Sequence, residues 1–214
     1  MGFFSIILEI IFPEICVSCR TKGKSVCDSC LSKIPHVITT PHEWIYPLFS
    51  YKDKTIRNAI HALKFKGLQT IPTHLAPHIA DHILLTVQDI FPFQTNFKLI
   101  PIPLHKKRLR IRGYNQASLI ARTIEKKLGD TFRVDETILF RTKYTDPQTI
   151  TRSKKDRERN LENAFGVKGD IKFLKENYFI LIDDVTTTGA TLLHAKKALQ
   201  KSGARHIIAF TIAH

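Results

Sequence analysis

Outside one fifteen-residue window the chain has no cysteine, and it carries no polar or low-complexity tract long enough to suggest disorder. The first absence excludes a disulfide framework spread over the fold. No internal repeat is visible, so a solenoid or propeller is excluded as well. Acidic residues are scarce: 19 Asp and Glu face 33 Lys and Arg, for a formal net charge of +14 at pH 7. A chain of that sign attracts polyanions, whether phosphosugars, nucleic acid or an anionic membrane surface, but the charge says nothing about fold. Nor is a signal peptide expected. The apolar stretch before Pro13 has no basic n-region and no small-residue cleavage site, and Glu9 interrupts it. It is too short to span a bilayer and reads as a buried helix. The expectation is a cytoplasmic chain without membrane insertion. At 214 residues, 43% apolar and 24% charged, there is enough chain for one α/β domain plus a small appendage.

The four cysteines that are present form two Cys-x-x-Cys pairs, Cys16 with Cys19 and Cys27 with Cys30, separated by seven residues. Each pair can point two thiolates at one ion, and two pairs complete the closed four-thiolate geometry of structural zinc. Two disulfides, or a redox pair, are the competing readings; a reducing compartment disfavours the disulfides. The spacing predicts a zinc module over residues 1–40 and a second domain over 41–214. Zinc held by four thiolates has no open position and does no chemistry.

The remaining chain alternates strand and helix patterns. Strands are expected at 44–51, 97–102, 134–140, 178–182 and 205–212, and helices at 54–64, 70–89, 115–128 and 191–201. That alternation predicts an α/β fold with a mostly parallel sheet. Residues 103–113 read as a basic loop. Residues 141–160 are polar, follow neither period, and form a connector too long to be idle. His74, His78 and His82 stand four residues apart; a surface stripe is the expected reading, with a metal site the alternative.

The segment 179–191 carries the chemistry. Four apolar residues make a buried strand, Asp183 and Asp184 end it, and Thr186, Thr187, Thr188, Gly189, Ala190 and Thr191 open a helix. Ligands of open α/β sheets bind at the carboxyl ends of strands. Backbone N–H groups at a helix start bind phosphate, and the threonine hydroxyls add donors. Two carboxylates would repel a bare phosphate, so their partners must be ribose hydroxyls or a Mg²⁺ ion. A carboxylate there would also stabilise positive charge developing at an anomeric carbon.

Strand, two acids and a Thr/Gly loop resemble the type I phosphoribosyltransferase signature at nearly every position. Further likeness comes from the cysteine module, Leu63-Lys-Phe-Lys-Gly67, the run from Ile100 through Arg-Gly113-Tyr-Asn-Gln116, and Gln148 with 157–165. Together these resemble the ComF/ComFC family of competence proteins over essentially the whole chain. The resemblance implies a phosphoribosyltransferase-like fold with a flexible hood loop, phosphoribosyl pyrophosphate as ligand, and single-stranded DNA handled during natural transformation. Thr151, and the ending Thr211-Ile-Ala-His214, depart from the family pattern; neither touches the phosphate loop. Lys106, Lys107, Arg108, Arg110 and Arg112, with Arg157 from the hood, are expected at pyrophosphate or a DNA backbone, a solvated basic loop being the plain alternative. Tyr114 and Tyr144 are expected to pack rather than stack on bases. Three functions compete. One is a competence-type protein binding phosphosugar and DNA; another is a nucleobase-salvage transferase. The third is an adaptor whose zinc module docks a DNA-uptake helicase or processing protein. Whether transfer turns over is left open.

Overall fold

The computed structural model describes residues 13–35, 37, 42–142 and 164–214. The expected N-terminal helix, most of residues 36–41 and most of the hood, including Tyr144 and Arg157, lie outside them. Five parallel strands form the sheet: β1 (Ile45–Phe49), β2 (Phe97–Pro101), β3 (Phe132–Val134), β6 (Tyr178–Val185) and β7 (His206–Ala213). Their order is β1-β7-β6-β2-β3. A short antiparallel pair, β4 (Leu139–Arg141) with β5 (Phe165–Val167), stands apart. The helices are α1 (Asp28–Leu31), α2 (Lys54–Phe65), α3 (Ile71–Ile90), α4 (Lys106–Arg112), α5 (Gln116–Leu128), α6 (Ile171–Glu176) and α7 (Ala190–Lys201). Among the described residues, no helix is long and apolar enough to cross a membrane.

Local chemistry explains most boundaries. In α2, Ile56, Ala59, Ile60 and Leu63 make one buried stripe, and the Asp53 side chain caps the start by accepting from the Ile56 N–H at 3.0 Å. Helix α5 repeats the pattern with Ala117, Ile120, Ala121 and Ile124 beneath an Asn115 cap. Because successive strand residues face opposite ways, β6 feeds two cores. Ile180 and Ile182 join Ile120, Ile124, Ile79 and Ile83 on one face. Phe179 and Leu181 join Leu192, Ala195 and Leu199 of α7 on the other. Both faces are covered, so the strand reads as a continuous apolar run.

Three expectations need correction. Residues 106–112 are a two-turn helix rather than a loop, capped by His105 and closed at Gly113. No apolar stripe announces it, because charged residues occupy most of its face. The single strand expected at 134–140 is two strands in different sheets. Asp135 breaks it: its Oδ1 accepts from the Thr137 N–H, the Thr137 hydroxyl and the Ile138 N–H, a side-chain turn that ends the ladder. The three histidines are half-buried, not a surface stripe. His74 Nδ1 accepts from the Ser25 N–H at 3.2 Å, His78 packs on Phe49 and His82 on Phe210. Each meets a different neighbour, and the grouping that could hold a metal among the described residues is the cysteine set.

The hairpin β4–β5 depends on one close approach. Phe140 lies across Gly166, its cross-strand partner, and a Cβ at Gly166 would sit 2.3 Å from the ring.

Candidate functional site

Connections in the sheet leave in opposite directions after β2 and after β6. Helix α5, which follows β2, packs on one face; α7, which follows β6, packs on the other. The two strands are neighbours, with Pro101 in register with Ile182. A crevice therefore opens at their carboxyl ends, at the topological switch point where α/β sheets bind ligands. Asp183 and Asp184 stand there, the β6 ladder running on past the expected end to Val185.

The acids are not alone. Asp184 is 6% exposed, and its Oδ1 lies 2.8 Å from Lys64 Nζ at the last turn of α2. Arg112 feels the charge of Asp184, and Arg141 that of Asp183. Burial pushes the Asp183 carboxyl up to about 7, and the neighbouring Asp184 charge adds to the rise; Lys64, the Asp184 N–H and Arg141 oppose it. That N–H donates to Asp183 Oδ1 at 2.8 Å. Burial draws both guanidinium groups below their ordinary range, and Arg108 adds to this at each, yet arginine stays charged. Arg112 is further held by Gln116, whose Oε1 accepts from Nη1 at 2.6 Å. Of the expected basic residues, Arg112 is thus brought to the acids, with Arg108 beside it and Arg141. Lys106, Lys107 and Arg110 are exposed along α4. Lys64 and His42 were missed as site residues; Lys64 had a signal, since it lies in the Leu63–Gly67 motif, whereas nothing near His42 marked it.

The loop after β6 is built as a helix opening. Thr186 is buried, and its N–H donates to the Ala213 carbonyl at 3.0 Å. Thr187 and Thr188 are exposed. Gly189 takes a left-handed φ of +71° as the N-cap of α7, so Ala190 and Thr191 begin the helix with their N–H groups unused by it. His42 leans on this turn: its Nε2 is 3.1 Å from the Thr188 carbonyl oxygen, and a Cβ on Gly189 would meet its ring at 2.6 Å. Asn115 fixes the β2 side, its Nδ2 donating to the Ile102 carbonyl at 3.0 Å. The loop residues Thr186 to Thr191 and both acids therefore meet at one end of β6. Tyr114 packs as expected, its hydroxyl donating to the Leu63 carbonyl.

The cysteines form a second centre. Cys16 and Cys30 Sγ are 3.9 Å apart, Cys19 and Cys27 Sγ 3.5 Å, and all four lie within 4.8 Å of one another. A tetrahedron of thiolates about 2.3 Å from an ion has edges of about 3.8 Å, so the four are close enough to bind one metal. Hydrogen bonding with Thr21, and then Cys27, draws the Cys19 thiol down to about 6; burial and the neighbouring thiols push Cys30 up to about 12. Val26, Leu31 and Ile34 carry this unit into the main core. Ser25 ties it to α3, its hydroxyl 2.6 Å from Thr70 Oγ1.

No family model matches the chain. Curated relatives do. Competence protein F of Haemophilus influenzae is 37% identical over 115 residues, which cover 54% of this chain and 49% of that protein, so the chain spans about half its length. DNA utilization protein YhgH of Salmonella typhimurium is 29% identical over 180 residues, 83% of this chain and 73% of that protein. Competence protein ComFC of Bacillus subtilis is 29% identical over 218 residues, 93% of this chain and 83% of that protein. Two of these relatives thus align along most of the chain, and the three names support the resemblance to the ComF/ComFC family.

Proposed function

We propose that this chain binds phosphoribosyl pyrophosphate with Mg²⁺ at the carboxyl ends of β2 and β6 and handles single-stranded DNA beside that site, in the cytoplasm, as part of DNA uptake. The observation that carries the reading is the junction of an acid pair and an open helix start at a topological switch point, ringed by Lys64, Arg112 and Arg141. The names competence protein and DNA utilization protein among the relatives support the DNA part.

The donor set fits the ligand. Two carboxylates are hard oxygen donors of the kind Mg²⁺ prefers, and they are the residues that would hold it together with the ribose hydroxyls. When bound, the ion would neutralise pyrophosphate charge and assist its departure. The chain's own part is positioning. The N–H groups of Ala190 and Thr191 and the hydroxyls of Thr187 and Thr188 take the 5′-phosphate. Lys106, Lys107, Arg108, Arg110, Arg112 and Arg157 are available to the pyrophosphate or to a DNA backbone. Asp183 and Asp184 would stabilise positive charge at the anomeric carbon if transfer occurs. Cys16, Cys19, Cys27 and Cys30 hold structural zinc, anchoring residues 1–40 to the phosphoribosyltransferase-like part at 41–214. The intact acid pair also favours a second reading, a transferase active in nucleobase salvage.

Calorimetry with phosphoribosyl pyrophosphate and Mg²⁺ tests the site. The wild type should bind, and the double variant Asp183→Asn, Asp184→Asn should not; unchanged affinity removes the assignment. Fluorescence anisotropy of a labelled oligodeoxynucleotide across a salt series, with and without the phosphosugar, tests the DNA part. An absence of DNA binding at physiological salt, with phosphosugar binding intact, would favour salvage, to be followed by a nucleobase screen.

A further inference from the structure

Two large apolar side chains stand exposed where the chain is most basic. Phe65, the last residue of α2, is 67% exposed, and Ile111 of α4 is 78% exposed. They border a groove of about 470 Å³ whose other described walls are Lys64, Gly67, Arg108, Arg112 and Tyr114. Three of those residues are cations and none is a carboxylate. The Arg112 guanidinium carbon lies 5.5 Å from the centre of the Phe65 ring, and the His61 ring packs 4.9 Å away. Tyr114, hydrogen-bonded to Leu63, ties the α4 side of the groove to α2.

An exposed aromatic ring gains nothing from water, so the groove is most stable when something flat and apolar covers it. An apolar peptide would take the charged Arg108 and Arg112 out of water and bring no anion to offset that cost, an unfavourable step. A nucleotide satisfies both demands, since every base offers a π-face to an aromatic ring and every phosphate a partner for arginine. A duplex hides its base faces and leaves Phe65 uncovered. We propose that this groove seats an unstacked base of single-stranded DNA between Phe65 and Ile111, with the flanking phosphates on Arg108 and Arg112. The assignment rests on the DNA-handling reading above and adds where the strand lies. Lys64 forms a wall of the groove while its ammonium pairs with Asp184, so the base site and the acid pair share a side chain.

The experiment measures anisotropy of labelled oligothymidine on the full chain across a salt series, for wild type, Phe65→Ala, Phe65→Trp and Arg108→Gln with Arg112→Gln. Phe65→Ala should weaken binding roughly 5- to 100-fold with an unchanged salt slope, because a stacking contact is lost and no phosphate contact. Phe65→Trp should retain or strengthen it. The double arginine variant should lower the salt slope by about 1.4. Against an abasic oligomer of equal length, Phe65→Ala should bind like wild type. Because Phe65 is exposed, urea midpoints should confirm that its variants fold. If wild type binds and Phe65→Ala binds equally well, the groove assignment is overturned while the DNA reading survives. Equal binding of duplex would overturn the groove assignment too. If the folded wild type binds no single strand, the DNA reading itself fails and takes the groove with it.

Discussion

Replacing Lys64 by methionine keeps the aliphatic stem and removes the cation nearest the acid pair. At 2.8 Å and an effective dielectric of about 20, the Lys64–Asp184 attraction is roughly 6 kcal/mol before desolvation is subtracted. The net figure must be smaller. Exposed pairs contribute about 0–1 kcal/mol, and stranding one partner of a fully buried pair costs about 3–5 kcal/mol. Here the Asp184 side chain is 8% exposed and the Lys64 side chain 24%, while Arg112 and Arg141 remain nearby. An intermediate loss of about 2 kcal/mol is expected near pH 8. The pH dependence has a definite sign. The folded Asp183 carboxyl sits near 7, above its unfolded value, so a proton is retained by the native pair in mild acid and lost as pH rises through 7. Below that point one negative charge faces Lys64; above it there are two. The destabilisation by Lys64→Met should therefore be larger at pH 8 than at pH 5.5. Urea denaturation of both proteins at the two pH values reads this directly. Equal losses below about 0.5 kcal/mol at both values would refute Lys64 as the counter-charge of the acids.

Other outcomes are equally specific. Purified protein should carry one zinc per chain by elemental analysis, and Cys27→Ser should lose both the zinc and several degrees of Tm; a metal-free wild type with an unchanged fold would remove the zinc module. Leu99→Ala, at a fully buried position in β2, should cost about 2–5 kcal/mol in urea unfolding, with the spread set by how far the core can close. Gly166→Ala should cost about 1 kcal/mol, because the new Cβ must displace the Phe140 ring. Phe140 is partly exposed and can turn aside, so adding Phe140→Ala should recover part of that loss in a double-mutant cycle.

What could be read from the sequence followed the period of its apolar residues. Helices α2 and α5 present one buried stripe each and were legible to within a residue or two, as was the unbroken apolar run of β6. Two kinds of feature were not. Helix α4 is charged on most positions, so nothing in its hydropathy separates it from a loop; its evidence lies in the caps, His105 and Gly113. The β3–β4 break depends on one aspartate turning three donors inward, which a run of alternating residues conceals. For the site, the acids and the threonine loop are contiguous and announced themselves, while the cations that balance them arrive from distant positions. Lys64 and Asp184 are 120 residues apart, and only the pairing of β6 between β7 and β2 under α2 and α5 makes them neighbours. The histidines of α3 misled for a related reason. Four-residue spacing gives one helix face, but which way that face points is decided by the sheet beneath it.

The balance of charge at the switch point bears on how the proposed ligand would enter. Lys64, Arg112 and Arg141 surround two carboxylates in the ligand-free chain. A lone pyrophosphate would find those cations partly engaged; a lone divalent ion would find the carboxylates engaged likewise. A metal–pyrophosphate complex presents both charges together, so each carboxylate exchanges a cation of the protein for the metal while each freed cation gains a phosphate. The exchange keeps every buried charge compensated at each stage, which neither ligand alone achieves. The prediction is a strong dependence of each affinity on the other component. By linkage, the factor by which Mg²⁺ tightens phosphosugar binding must equal the factor by which phosphosugar tightens Mg²⁺ binding. Lys64→Met should shrink that factor, because the carboxylates are then open to the metal before the phosphosugar arrives. Calorimetric titrations in both orders measure it, and a factor near one in the wild type would show that the cations around the acids are not exchanged on binding.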